Sequence, residues 1–192
     1  MKIEIRTLGA LENNCAILRA DGKTYVFDPA GMPDDWRDLR IDAAFATHAH
    51  IDHISALSGL NVPWFMDADD LPTLDWSNEI RAEFFDLPAV SSKPLDFAFA
   101  PKIPGMEIIK TPGHSAGSAC FYFPAEKILI SGDTIFYNTA GRTDLPTGSG
   151  AQLARSIELL KNYGFSDDVL VIPGHGRMGL WDGIRRANSF LS

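Results

Sequence analysis

The chain has 192 residues, a length that suits one domain spanning 1–192. Hydrophobic residues make up 45% and charged residues 22%, an ordinary globular composition. With 17 basic against 25 acidic residues the net charge is −8, which leaves no basic footprint for nucleic acid.

The N-terminus, MKIEIRTLGALENNC, lacks an apolar signal core, and no apolar run reaches the roughly 18 residues of a membrane span. Two distant cysteines, Cys15 and Cys120, make neither a disulfide framework nor a cysteine-based zinc site. The expectation is a reduced, cytoplasmic protein that acts on a small molecule, with no nucleic-acid or membrane partner.

In chain order, MKIEIRTL and CAILRADGKTYVFD read as strands, the second folded at Asp21-Gly22 into a hairpin. DWRDLR suggests a short helix and IDAAFAT a buried strand ending at His48. ISALSGL suggests a helix beginning just after the histidines that follow, and NVPWFM is a short apolar run. The proline-punctuated stretch 67–104 carries no clear periodicity. Its segment 67–86 holds seven acids and one base, Arg81, and reads as a solvated face. Trp64, Phe65, Trp76, Phe84 and Phe85 read as core. MEIIK, SACFYF and KILISG are strands, GAQLARSIELLKNYG a helix closed by Gly164, DVLVIP a strand and LWDGIRRANSFL a last helix. Two strand-rich halves with helices between and after them imply two sheets stacked face to face, with helices outside.

The five histidines of the chain are placed, not scattered. Three lie in THAHIDHI as His48, His50 and His53, with Asp52 among them; the others are His114 in TPGHS and His175 in PGHG. His48, His114, His175 and also Asp133 each follow the carboxyl end of an expected strand, where loops gather to form sites. Imidazole and carboxylate are the ligands of zinc, iron and manganese. One ion can take His48, His50 and His114, leaving Asp52, His53 and His175 for a second. Asp133 has two oxygens with which to bridge them. Two ions about 3.5–4 Å apart would share a water and make it hydroxide at neutral pH.

HAHIDH resembles the HxHxDH signature of the metallo-β-lactamase superfamily, and TPGHS, SGDT and PGHG follow in that family's order. The resemblance implies an αββα four-layer sandwich and the same division of ligands: His48, His50 and His114 at one site, Asp52, His53 and His175 at the other, Asp133 between. Asp133 stands where thiolate-bearing β-lactamases carry cysteine, which disfavours lactam cleavage. SGDTIFYNTAGRTDLP is similar to a segment of compact glyoxalase II-like hydrolases and of persulfide dioxygenases. The implied activity is a thioesterase with two divalent ions, zinc or else iron or manganese, with Asp52 and Asp133 catalytic. Full-length glyoxalase II carries a C-terminal helical domain that binds glutathione; only about seventeen residues follow His175 here, so that clamp is expected to be missing.

Alternatives are a glutathione persulfide dioxygenase with one iron on His48, His114 and Asp133, a lactone hydrolase, and a metal-binding module without turnover. Further candidates at the site are Asp28, as an acceptor that orients a ligand histidine or as a plain turn residue, and Ser115, with Ser118, steadying the His114 loop. Tyr137 and Asn138 are placed to line a pocket. Arg142 and Asp144 either clamp a substrate carboxylate or pair with each other.

Overall fold

A computed structural model describes every residue except 37, 86, 87, 91, 92 and 192. Strands β1 (Lys2–Leu8), β2 (Asn13–Ala20) and β3 (Lys23–Phe27) form an antiparallel meander. β4 (Ala43–Phe45), β5 (Trp64–Met66) and β6 (Leu95–Asp96) extend it with parallel pairings, giving a six-stranded sheet in sequence order. The second sheet runs β11-β10-β9-β8-β7. Its members are β7 (Glu107–Lys110), β8 (Ala119–Phe123), β9 (Ile128–Gly132), β10 (Leu170–Pro173) and β11 (Gly179–Leu180). Only β9 and β10 pair in parallel there.

Alternation along the strands sends one set of side chains to each face. Ala16, Leu18, Phe27, Phe45, Phe121, Phe123 and Ile172 meet between the sheets, where Phe27 and Phe45 stack at 5.0 Å. The opposite faces are also apolar. Cys15, Ile17, Val26, Ala44 and Trp64 pack with Ile54, Leu57 and Leu74 of the helical segments α1 (Ile51–Ile54), the following 3-10 turn Ser55–Ser58, and α2 (Leu71–Phe84). On the second sheet, Cys120, Leu129 and Val171 pack with Leu153, Ile157 and Leu160 of α3 (Gly150–Lys161) and with Trp181 and Ile184 of α4 (Trp181–Ala187). Three apolar layers therefore separate four structural ones, and the fold is an αββα sandwich.

Several local expectations are corrected. Segment 67–104 contains α2, a helix of about four turns with Pro72 in its first turn, where a missing N–H costs nothing. Its face is not wholly solvated: Asp67, Asp70 and Arg81 are buried. The seventh acid of that run, Asp86, lies outside the described residues. Trp64 and Phe65 are core, but Phe84 and Phe85 are exposed. The first short helix is a 3-10 turn, Asp34–Trp36, with residue 37 outside the described set. Helix α1 begins at Ile51 and so carries Asp52 and His53 themselves. It ends after one turn because the Ser55 hydroxyl bonds back to the Ile51 carbonyl and the Ala56 N–H goes to Pro29 O. Helix α4 stops at Ala187, where Asn188 turns its amide to the Phe136 and Thr139 carbonyls.

Candidate metal centre

The histidine run leaves β4 through Thr47 and enters α1, and the remaining ligand candidates come from the loops after β7, β9 and β10. These loops meet at one end of the sandwich. Ligand atoms of His48, His50 and His114 all lie within 4.8 Å of one another, as do those of Asp52, His53 and His175 and those of His48, His53 and Asp133. The Asp133 carboxylate stands between the first two groups. Its Oδ1 is 3.3 Å from His53 Nε2, and its Oδ2 is 3.5 Å from His114 Nε2 and 3.8 Å from His175 Nε2. The residue before His175 must be glycine: a Cβ on Gly174 would fall 2.1 Å from Asp133 Oδ1 and 2.6 Å from His53 Cε1.

Each ring is turned so that one nitrogen faces the cluster. His53 Nδ1 lies 3.1 Å from Asp28 Oδ2, His114 Nδ1 2.8 Å from the Arg142 carbonyl, and His175 Nδ1 2.8 Å from the Leu11 carbonyl. His48 Nδ1 meets the Thr47 hydroxyl at 3.1 Å, and that hydroxyl donates to Asp28 Oδ2 at 2.9 Å. An N–H committed to an oxygen behind the ring leaves the other nitrogen as a lone pair aimed inward, the arrangement that fixes metal-binding histidines.

The inner atoms lack protein partners of good geometry. His48 Nε2, His53 Nε2 and Asp133 Oδ1 are buried with no hydrogen bond among the described residues, and His50 Nδ1 faces His114 Nε2 at only 2.9 Å. Two imidazole lone pairs this close repel unless a cation or a proton sits between them. The donor set, five imidazoles and two carboxylates, matches divalent zinc, iron or manganese.

Electrostatics reinforce the pattern. Burial and the neighbouring rings push His50 down to about 3 and His48 well below its ordinary value, so both stay neutral ligands. Burial opposes charge on His53, but the carboxylates of Asp28, Asp133 and Asp52 outweigh it and raise this ring well above the usual range. His175 is raised by its 2.8 Å bond to Asp52. Burial would raise Asp52 and Asp133, yet the same histidines hold both carboxylates below their usual range. Without a metal, protons fill the charge the site is built to balance.

The sequence profile of the metallo-β-lactamase superfamily matches residues 8–175. The chain belongs to that superfamily. A relative, the hydroxyacylglutathione hydrolase GloC of Haemophilus influenzae, is 30% identical, with 100% of this chain and 99% of that protein aligned. The structure of TTHA1623 in a di-iron-bound form superposes with a TM-score of 0.86 at 27% identity, covering 98% of this chain and all of the other. The B3 metallo-β-lactamase BLEG-1 superposes with a TM-score of 0.82 at 28% identity, with both chains covered in full.

Within this metallo-β-lactamase fold the other candidates separate. Asp28 and Ser115 lie behind the cluster: Asp28 contacts His53, and Ser115 is buried in the His114 loop with its hydroxyl 2.8 Å from that of Ser118. Arg142 and Asp144 form an exposed two-pronged pair, both bonds 2.7 Å; what Arg142 gives the site is its carbonyl. Tyr137 is half-buried beneath the Arg177 guanidinium, 4.1 Å from the ring centroid, and Asn138 is exposed.

Asp70 and Trp76 were not among the sequence candidates. Asp70 is fully buried and accepts from Ala49 N at 2.5 Å, Gly117 N at 2.9 Å and Thr73 Oγ1 at 2.9 Å, so it ties the HAHIDH loop to the His114 loop. The Trp76 ring stands 5.7 Å from that of His50, edge to face. The acidic run gave no signal for the first. Only the helical register of α2 brings the second to the site.

Proposed function

We propose that this chain is a dinuclear metal-dependent hydrolase whose substrates are thioesters, of the glyoxalase II-like kind. The observation that carries the reading is the pairing of two complete ligand triads around one carboxylate, Asp133. When bound, two divalent ions held by His48, His50 and His114, by Asp52, His53 and His175, and jointly by Asp133 would supply a hydroxide and polarise the acyl carbonyl.

The chain's own groups position and balance. Asp28, Thr47 and the carbonyls of Leu11 and Arg142 hold the rings in register, and burial keeps His48 and His50 unprotonated. Every histidine is committed to the cluster, so none is spare to act as a general acid. Thiolates leave without one, because a thiol ionises near pH 8.5, and this favours thioesters over poorer leaving groups. The relative from Haemophilus influenzae, aligned over nearly the whole of both chains, supports the same class. We place the protein in the cytoplasm, in keeping with two buried free thiols, Cys15 and Cys120.

A single-iron dioxygenase scheme on His48, His114 and Asp133 leaves Asp52 and His175 idle, though they sit 2.8 Å apart within the cluster. The deciding experiment is metal analysis of the purified chain together with assays of zinc-, iron- and manganese-loaded protein. The substrates are lactoyl-glutathione, a simple acyl thioester, an acyl-homoserine lactone and a cephalosporin. Two ions per chain and thioester cleavage are expected. One iron per chain, with oxygen uptake on glutathione persulfide and no thioester cleavage, would replace this reading.

A further inference from the structure

A groove of about 160 Å³ opens beside Asp52, walled by Leu8 and Leu11, Ala30, Ile51 and Phe85. It adjoins the metal centre, since Asp52 forms part of its lining and the carbonyl of Leu11, another lining residue, lies 2.8 Å from His175 Nδ1. Leu11 and Phe85 are 63% and 57% exposed. Single exposed apolar side chains mean little, but two of them bordering a cavity that contains a reactive-site carboxylate is the pattern of a ligand pocket.

The wall is built in advance of any ligand. Gly9, at φ 77°, lets the β1–β2 turn lie directly on the next loop, where a Cβ would come within 2.9 Å of the Ala30 carbonyl. Asn14 then fastens the hairpin to the His175 loop, its N–H bonding Gly174 O at 2.7 Å and its side chain bonding Pro173 O at 2.9 Å and Gly176 O at 3.0 Å. Polar side chains are few in its lining: the Ser55 hydroxyl donates to Ile51 O at 2.5 Å, and Asp52 Oδ2 lies 2.8 Å from His175 Nε2. A hydroxyl carried against the walls of Leu8, Leu11, Ala30, Ile51 and Phe85 would lose water to apolar surface.

We propose that this groove receives the acyl group of the substrate and selects an apolar one, an alkanoyl chain up to about hexanoyl, over short or hydroxylated acyl groups. The inference rests on the thioesterase reading and deepens it. A cavity of only about 160 Å³ limits the acyl chain to a handful of carbons. In the reaction water adds across the acyl C–S bond: the C–S bond breaks, a C–O bond forms, and a carboxylic acid and a thiol leave.

The test uses the metal-loaded full chain with N-acetylcysteamine thioesters of acetate, butanoate, hexanoate and lactate. We expect kcat/KM to rise about fourfold per added methylene, the fold-change equivalent of about 0.8 kcal/mol of burial, and lactate to fall below butanoate. Leu11→Asp and, independently, Phe85→Ala should reduce the hexanoate-to-acetate ratio by tenfold or more, with melting temperature and metal content as controls of folding. Calorimetric binding of the ketone analogues, with CH2 in place of sulfur, should follow the same order and the same loss in both variants.

If thioesters are cleaved without a chain-length trend, or with a trend that both variants keep, the groove assignment is wrong and the thioesterase reading stands. If no thioester is cleaved while ketone binding still depends on chain length and on Leu11, the hydrolase reading fails and the apolar acyl pocket stands. A Leu11→Asp change that alters sedimentation but not the ratio would assign the patch to self-association and overturn the proposal.

Discussion

Asp28 stands directly behind His53, its Oδ2 3.1 Å from the ring Nδ1, on a backbone held at φ 50°. Left-handed backbone is unfavourable for a residue with a side chain, though aspartate and asparagine tolerate it best. Here it brings the carboxylate to Thr47 N at 2.7 Å and to the Thr47 hydroxyl at 2.9 Å as well. One acid thereby orients two ligand rings, His53 directly and His48 through Thr47.

Asp28→Asn should keep the backbone and remove the charge. Metal affinity is expected to fall by about 10–100-fold, read by competition with a chromophoric chelator, while the fold persists by circular dichroism. Unchanged affinity would reduce Asp28 to a turn residue.

The chelated protein should be most stable near pH 6.5, by the balance of opposed histidines. His48 and His50 have lowered values in the fold. As the pH drops below the ordinary histidine value of about 6.5, the unfolded chain takes up protons that these buried rings refuse, and stability is lost. His53 and His175 are raised. Their contribution is complete below about 6.5 and disappears as the pH rises through their folded values. Melting temperatures of the chelated chain should thus decline on both sides. The metal-loaded chain should melt higher throughout and lose the alkaline decline, because ions displace those protons. A chelated melt that climbs steadily from pH 6.5 to 8 would reject the protonated state of His53.

The metal ligands were legible because the chain's few histidines all follow strand ends, a placement that hydrophobic runs alone locate. The layers were legible for the same reason: β2, β3, β8 and β9 are buried on both faces and read as apolar runs. Helix α2 was not. Its apolar residues form no continuous stripe, Pro72 reads as a breaker until its first-turn position is known, and Trp76 turns toward His50 and away from the core. Asp70 looked like one more solvated acid in an acidic run. Its burial is decided by Gly117, 47 residues away, which no local pattern records. Strands of two residues, β6 and β11, are too short to show a period.

Asp70→Ala should be among the most damaging substitutions away from the ligands. It strips the acceptor from two buried backbone N–H groups, of Ala49 and Gly117, and from the Thr73 hydroxyl. Each orphaned donor costs about 1–3 kcal/mol, so a loss on the order of 3–5 kcal/mol is expected in urea unfolding. Ala49 separates His48 from His50, so metal content should fall in the same variant. A loss below about 1 kcal/mol would mean that water replaces the carboxylate.

Asp133→Asn tests the centre of the arrangement. The carboxylate faces His53 with one oxygen and His114 with the other, and it is the only group of the cluster placed to serve both triads with two negative oxygens. An amide keeps the shape but offers one neutral oxygen and a nitrogen that donates without ligating. The variant should therefore hold fewer ions per chain than the parent, counted by elemental analysis after dialysis against micromolar metal. Hydrolytic kcat should fall by at least a hundredfold, because losing an ion removes the hydroxide and the carbonyl polarisation that the metal pair would supply. The fold should survive, because asparagine keeps the shape of the side chain in the loop after β9. Two tightly held ions in Asp133→Asn would show that the triads load independently and that Asp133 has no bridging role. Fewer ions with undiminished kcat would show that a single ion suffices for turnover, which would overturn the dinuclear mechanism while leaving the ligand assignments in place.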